Sequence, residues 1–237
     1  MTDVADRWQL GAQAESYDAM RFRSFLGRFF EKRQKHALRR CLKRIGPVET
    51  LADLPCGTGR MLPLLREHAT FLVACDVSEA MQQQAVRRMT GCENISYLLC
   101  DARSIPLGDG SVDGVVSVRL FMHLTPEQRA TILCEFARVS RRWVIVEYGC
   151  DSAWHRVRRA LRSALFRLLR HRQVYPGSAS TAAIRQEAQQ SRLAVRERFW
   201  TLRGLSESAF ILMEKTALPI GLGTTPVPAC GDHKPGQ

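Results

Sequence analysis

The sequence lacks several features that would assign it to a particular class of protein. No apolar run approaches the roughly 18 residues that a membrane-spanning helix needs. The opening stretch, MTDVADRWQL, carries acids early and has no apolar core of a secretory signal. The eight cysteines are scattered and form no Cys-x-x-Cys pair and no Cys/His cluster of zinc spacing. We therefore expect a cytoplasmic protein with reduced thiols and no metal site.

The composition also excludes disordered and fibrous chains. Of the 237 residues, 45% are hydrophobic and 24% are charged, as in an average globular protein. A chain of 26.8 kDa can bury a sizeable core without disulfide staples. The length predicts one main domain with smaller additions.

Acidic residues are scarce in two segments, whose combined excess of Lys and Arg accounts for all of the net charge of +12. Residues 20–45 hold ten Lys or Arg and one acid, Glu31, while residues 154–172 hold seven Arg and no acid. Such segments can attract nucleic acid, anionic lipid or an acidic substrate. The central part of the chain is close to balanced, which places the positive charge on peripheral helices.

Short apolar runs alternate with helical patterns along the middle of the chain. The predicted strands are 50–54, 71–77, 95–100, 112–118 and 143–148, and the predicted helices are 59–68, 78–90 and 125–139. This alternation is typical of an α/β fold with a doubly wound, mostly parallel sheet. Two further strands, about 193–202 and 208–215, are separated by a short connection and predict a closing antiparallel hairpin.

The flanking segments complete the predicted organisation. Residues 1–46 form a helical N-terminal cap, with an amphipathic pattern from 15 to 45 that Gly46-Pro47 ends. The domain proper extends over 47–217 and holds a helical insertion at about 150–192, with helices at 153–172 and 180–191. The tail, 218–237, is rich in Pro and Gly and is expected to be disordered.

A glycine-rich turn follows the first predicted strand in Asp53-Leu-Pro-Cys-Gly57-Thr-Gly59. Such a turn before a helix lets a ligand approach the backbone closely, although many turns of this kind bind nothing. Asp76 and Asp101 end the next two strands. One such acid alone is more often a helix cap, but all of them at one sheet edge favour a nucleoside pocket.

These motifs resemble those of class I S-adenosylmethionine-dependent methyltransferases. The segment around Asp53 resembles the first motif, Asp76-Val-Ser-Glu-Ala-Met81 the second, and Asp101-Ala102 with Leu107–Asp113 the third and fourth. The resemblance covers roughly residues 45–217. It is strongest to small-molecule methyltransferases of the quinone-biosynthesis type and implies a Rossmann-like sheet of seven strands.

The resemblance also implies roles for individual residues. Gly57, Gly59 and Asp53 would hold the methionine part of the cofactor, and Asp76 would accept the ribose hydroxyls. The remaining implied cofactor-binding residues are Met81, Asp101, Ala102, Arg119, Tyr17 and Arg21. In one departure from the family pattern, Pro55 replaces the first glycine of the motif, so that position must have a negative φ.

His123 is the candidate general base, because it follows the fourth strand and an ordinary imidazole suits proton transfer near neutral pH. The alternative is a histidine that merely packs before the helix at Thr125. Tyr148 and Glu147, at the end of the fifth strand, are further candidates.

We therefore expect in-line methyl transfer from S-adenosylmethionine to a small-molecule or lipid-like acceptor. One alternative is a non-catalytic regulatory protein that acts at an anionic membrane or glycolipid, and another is an RNA methyltransferase. The sequence does not favour nucleic acid, since it holds no aromatic-interleaved basic patch. Leu62 stands where a nicotinamide-binding Gly-x-Gly-x-x-Gly would need its last glycine, which argues against an oxidoreductase.

The basic helix predicted at 153–172 has two interpretations. It can be a lid packed over the site with a solvated basic face. It can also contact an anionic membrane or acidic glycolipid, at the inner face of the membrane. The sequence leaves the oligomeric state open.

Overall fold

The computed structural model describes residues 25–150, 178–202 and 208–216. The helices are α1 (Phe25–Ile45), α2 (Leu62–Leu65), α3 (Glu79–Arg88), α4 (Pro126–Val139) and α5 (Thr181–Gln190), with a 3₁₀ turn at Phe121–His123. The strands are β1 (Val48–Asp53), β2 (Ala69–Asp76), β3 (Ile95–Leu99), β4 (Val112–Ser117), β5 (Ser140–Cys150), β6 (Ser178–Ala179), β7 (Leu193–Trp200) and β8 (Ser208–Lys215).

The strands form one sheet in the order β3-β2-β1-β4-β5-β8-β7. The first five strands pair in parallel, and β8 runs antiparallel to both β5 and β7. The predicted doubly wound sheet with a closing antiparallel hairpin is thus confirmed. The short strand β6 is an addition that no apolar run predicted, and it pairs with the end of β5.

Alternate residues of the central strands face two separate hydrophobic cores. Ala52 and Val144 pack on the side of α4 and α5, while Leu51 and Ile145 pack on the side of α1, α2 and α3. Helices on both faces explain why the central strands read as continuous apolar runs.

The helix after β1 is shorter than the sequence pattern predicted. The pattern placed it over 59–68, whereas α2 spans only Leu62–Leu65. Gly57 and Gly59 have positive φ values of 54° and 74°, so the chain turns sharply before it can become helical. This loop sets the shape of the sheet edge where the predicted site lies.

Residues 25–45 are helical as predicted, but the apolar residues Leu26, Phe29 and Phe30 at the start of α1 are exposed. Its buried side chains, Ala37, Leu38, Cys41 and Leu42, join the core that contains Phe210 of β8. Among the described residues, no helix has the length and apolar character to span a bilayer. The predicted helix at 153–172 and the tail after residue 217 lie outside the described residues.

Candidate functional site

The carboxyl edge of the sheet forms a cavity of about 180 Å³. Its wall includes the acids predicted from the strand ends, Asp53, Asp76 and Asp101. The wall also includes Gly57, Met81, Ala102, Arg119 and His123. The parallel arrangement of β1, β2 and β3 brings these residues together, as expected for ligand sites at a topological switch point.

The glycine-rich turn is fastened to the end of β2. The N–H of Gly57 donates to Asp76 Oδ2 at 2.7 Å, and the N–H of Cys56 donates to the Cys75 carbonyl at 2.7 Å. Gly57 lines the cavity, but Gly59 is not part of its wall. A Cβ on Gly59 would lie 2.9 Å from both Cα and Cβ of Ala85, so this glycine lets α3 pack against the turn.

The two glycines therefore predict different costs of substitution. At Gly57 an alanine has open space, and only the positive φ is unfavourable, by roughly 1–2 kcal/mol. At Gly59 the same strain adds to the collision with Ala85, for a total of about 3 kcal/mol. Urea unfolding of Gly59→Ala beside Gly57→Ala measures this difference. Equal losses of stability would contradict the packing role of Gly59.

Asp53 is buried and carries no hydrogen bond from any described residue. Its relative exposure is 1%, and both carboxylate oxygens lack a partner in the part of the chain that the structure describes. Burial, reinforced by the nearby Asp76 charge, raises the pKa of Asp53 to about 8, although Arg60 opposes the shift. The side chain is an acceptor without a donor, which a cationic ligand group would supply.

Asp76 holds the turn while facing the cavity. Its Oδ1 accepts the N–H of Ser78 at 2.9 Å, and Ser78 in turn caps α3 by accepting the N–H of Met81. Burial raises the pKa of Asp76, and the backbone donors from Ser78 and Gly57 partly offset that rise. Each oxygen that accepts one backbone N–H keeps lone-pair capacity for a ligand hydroxyl.

Asp101 reaches the cavity already paired with Arg103. The Arg103 guanidinium donates to both carboxylate oxygens at 2.6–3.1 Å, and its backbone N–H donates to Oδ1 at 2.8 Å. Partial burial raises the pKa of Asp101, but these bonds outweigh it and hold the pKa below its ordinary value. A ligand amino group at Asp101 would share the carboxylate with Arg103, which also lines the cavity.

A polar network joins α1 to the loop after β4. Glu147 is buried, and its Oε2 accepts two hydrogen bonds. One comes from Gln34 Nε2 at 2.7 Å and the other from the backbone N–H of Arg119 at 3.2 Å. Arg119 has a φ of 64°, which is unfavourable for a residue with a Cβ. Glu147 therefore secures a strained turn in the cavity wall, and Arg119 Nε is buried without a described partner.

Two of the candidate catalytic residues, His123 and Tyr148, occupy different positions. His123 is half-buried at the end of the 3₁₀ turn and lines the cavity. Tyr148 is fully buried and absent from the cavity wall, and its hydroxyl donates to Glu187 Oε2 at 2.9 Å. Burial and the Glu187 charge raise the pKa of Tyr148 well above its ordinary value. The Tyr148 hydroxyl is thereby committed to a structural contact.

Two predicted site residues are not described by the structure, and three residues at or near the site were not predicted from the sequence. Tyr17 and Arg21 lie outside the described residues. Sequence reasoning missed Gln34, Arg60 and Arg103, of which the last two line the cavity. The sequence did contain a signal for a buried role of Gln34. This polar residue lies one helical turn before Ala37 and Leu38, on the apolar and buried face of α1.

The residues present fit the cofactor that the sequence motifs imply. Asp53 offers an unpartnered buried carboxylate, and Arg119 offers an unpartnered guanidinium N–H, in the wall of one cavity within the described structure. These two groups complement the ammonium and carboxylate of an amino-acid moiety such as the methionine end of S-adenosylmethionine.

Comparisons with known proteins identify similar sequences and similar folds. Residues 51–142 match the methyltransferase domain family. Demethylmenaquinone methyltransferase of Clavibacter sepedonicus is 30% identical over 110 residues, which cover 45% of this chain and 45% of that protein. The mouse tRNA (carboxymethyluridine(34)-5-O)-methyltransferase ALKBH8 is 30% identical over 101 residues, 42% of this chain and 14% of that protein. The matches thus span less than half the length of these curated relatives.

The fold also matches solved structures. Magnesium protoporphyrin IX methyltransferase from Synechocystis PCC 6803, solved with bound S-adenosylhomocysteine, superposes with a TM-score of 0.72. The alignment covers 90% of this chain and 98% of that one at 12% identity, so it shows a shared fold. Residues 51–142 therefore resemble a methyltransferase domain, and the chain shares its fold with a solved S-adenosylmethionine-dependent methyltransferase.

Proposed function

We propose that this protein transfers a methyl group from S-adenosylmethionine to a small, largely apolar acceptor bound beside His123. The observation that carries the proposal is the cavity wall. The wall contains polar groups that suit the cofactor, such as Asp53 and Asp76. It also contains the apolar side chains of Leu120, Leu124 and Ile132. A wall of this composition favours an acceptor with an apolar body and few polar groups.

The chain's own residues perform three tasks in this proposal. Asp53 and Arg119 bind the ammonium and the carboxylate of the cofactor's amino-acid end. Asp76 accepts hydrogen bonds from the ribose hydroxyls. When bound, the cofactor supplies an electrophilic methyl group on a sulfonium. Leu120 and Leu124 exclude water from the acceptor, and the 3₁₀ turn at Phe121–His123 orients it. His123 takes the proton of an acceptor that must lose one to become nucleophilic.

An RNA acceptor is the second candidate, and two observations favour it. Relatives named as tRNA methyltransferases match at about the same identity as the demethylmenaquinone enzymes. The net charge of +12 also suits phosphate binding. The apolar cavity wall supports the small acceptor instead, because RNA-binding sites typically offer aromatic stacking surfaces for bases.

Radiolabel from methyl-labelled donor separates these candidates. We expect purified protein, incubated with a cell extract, to place label in the lipid or small-metabolite fraction. Label confined to the RNA fraction would contradict the small acceptor, and the absence of label from every fraction would support the non-catalytic alternative.

His123→Ala tests the proposed base on the acceptor so identified. We expect turnover to fall by about 10²–10⁴-fold while donor affinity is unchanged, because the residue acts on the acceptor proton. The matched control is His36→Ala, since His36 is an exposed histidine on α1 away from the cavity wall. Unchanged turnover in His123→Ala would assign this histidine to packing.

A further inference from the structure

The beginning of α1 exposes apolar side chains that contribute nothing to either core. Phe25 is 77% exposed, Leu26 65%, Phe29 41% and Phe30 44%. Phe29 and Phe30 stack edge to face on each other, 5.8 Å between centroids. We call these four residues the aromatic end of α1. Contiguous exposed apolar surface of this kind marks an interaction site.

Phe25 and Phe29 of the aromatic end lie on the opposite side of α1 from its buried side chains, whereas Phe30 lies one turn before buried Gln34 on the buried side. Phe25, Phe29 and Lys32 follow one another at helical spacing and share a face. The buried side chains of the same helix start only at Gln34. The first turns therefore project beyond the part of α1 that packs on β7 and β8.

The charge around the aromatic end has one sign. Arg28, Lys32 and Arg33 are exposed, and no described acid pairs with them. The single acid of the helix, Glu31, already pairs with Lys35 at 2.9 Å. A partner for this surface should therefore be anionic. Because the start of the helix is convex, the partner should also have a surface into which aromatic side chains can insert.

We propose that the aromatic end of α1 docks on the surface of an anionic lipid bilayer. Phenylalanines enter the boundary between headgroups and acyl chains, while Arg28, Lys32 and Arg33 contact lipid phosphates. A second copy of this chain would bring the same positive charge to the contact, which disfavours self-association there. The proposal concerns α1 alone, because the segment 154–172 lies outside the described residues.

The docking surface lies one helical turn from the cavity. Glu31 approaches Arg60, a cavity-wall residue, at 3.5 Å, and Gln34 of the next turn bonds Glu147. Docking would thus bring the cavity close to the bilayer, where an apolar acceptor dissolves. This last consequence rests on the proposed function, whereas lipid binding itself can be measured without cofactor or acceptor.

Vesicle sedimentation of the full chain tests the docking. We expect binding to vesicles of equal parts phosphatidylcholine and phosphatidylglycerol, decreasing as salt rises, and no binding to phosphatidylcholine alone. Phe25→Ser/Phe29→Ser should weaken the partition coefficient at least about tenfold, because the inserted apolar area is lost. Lys32→Glu/Arg33→Glu should weaken it about tenfold or more.

Matched variants control for loss of any apolar or positive residue. Val86→Ser/Leu99→Ser removes two other exposed apolar side chains, and Arg87→Glu/Arg185→Glu reverses two other exposed charges. Both should bind vesicles like the original chain. Circular dichroism and the melting temperature establish that each variant is folded.

Three outcomes would overturn the proposal. The first is no binding to anionic vesicles, and the second is full binding by Phe25→Ser/Phe29→Ser, which would move the contact elsewhere. The third is that the chain binds RNA but not vesicles, and that Lys32→Glu/Arg33→Glu loses the RNA binding. That result would assign the basic residues to nucleic acid. Methyl transfer in detergent-solubilised extract stays measurable in every case, so failure of docking is distinguishable from failure of the proposed function.

Discussion

Asp53→Asn is expected to weaken binding of S-adenosylhomocysteine by about 10–100-fold while it stabilises the ligand-free protein at alkaline pH. The affinity falls because a charge-assisted hydrogen bond to a ligand ammonium is worth about 1.5–3 kcal/mol. The stability rises because Asp53 is buried with no described donor, so its ionised form is costly. Isothermal titration and urea unfolding measure the two effects.

The sign of the pH dependence follows from the raised pKa of Asp53. The carboxyl ordinarily titrates near 3.8 and titrates at about 8 in the folded chain, so between those values the folded state binds the extra proton. Unfolding free energy attributable to Asp53 therefore falls as pH rises from about 4 to about 8. Asp53→Asn should remove this slope, and its stability advantage should grow across the same interval.

Ligand binding should show the opposite dependence. A cationic ligand group prefers the ionised carboxylate, so affinity should increase as pH approaches the Asp53 pKa, and binding should release a proton into the buffer. Titration in buffers of different ionisation enthalpy detects that proton. Asp113→Asn is the matched control, since Asp113 accepts from Glu49 and Thr50 outside the cavity wall. Equal affinities in Asp53→Asn and the original chain would refute the proposed ammonium site.

Arg129→Met is expected to destabilise the fold by about 3–5 kcal/mol, because it leaves the buried Glu187 carboxylate without its cation. Arg129 and Glu187 are nearly inaccessible, with the guanidinium Nη2 2.6 Å from Glu187 Oε1. For a chain of this size the loss corresponds to a melting temperature lower by about 10 °C. Differential scanning calorimetry measures it.

Two comparisons separate the buried pair from ordinary charge loss. Arg129→Met/Glu187→Leu should recover much of the stability, because no unpaired charge remains buried. Arg39→Met should cost under about 1 kcal/mol, since its ion pair with Glu67 is exposed. If Arg129→Met cost no more than Arg39→Met, the burial of the pair would have no energetic consequence.

The same pair also supports the acceptor side of the cavity. Arg129 Nη1 donates to the Leu124 carbonyl at 3.1 Å, next to His123, and Glu187 holds Tyr148 under the 3₁₀ turn. Phe121 of that turn packs on Tyr148 with 5.1 Å between ring centroids. If the Arg129→Met variant remains folded, its turnover should therefore fall more than its affinity for the donor. Donor affinity depends on Asp53 and Asp76, which lie at the ends of β1 and β2.

The sequence predicted the sheet and the acids of the cavity wall for a local reason. Apolar runs such as Val112–Ser117 mark strands buried on both faces, and each of Asp53, Asp76 and Asp101 follows from its strand end. Parallel strands align their carboxyl ends, so positions far apart in the chain could be placed at one edge from pattern alone. The match of residues 51–142 to the methyltransferase domain family agrees with those motifs.

Only the tertiary structure decided which partner each charged group acquires. Nothing in the local pattern shows that Asp53 has no described donor, that Arg103 occupies Asp101, or that Glu187 binds Tyr148 across 39 residues. Periodicity and turn chemistry depend on neighbours in the chain, and they predicted most of the elements and the sheet edge where the cavity lies. Burial and charge pairing depend on groups that become neighbours only when β5, α4 and α5 pack together.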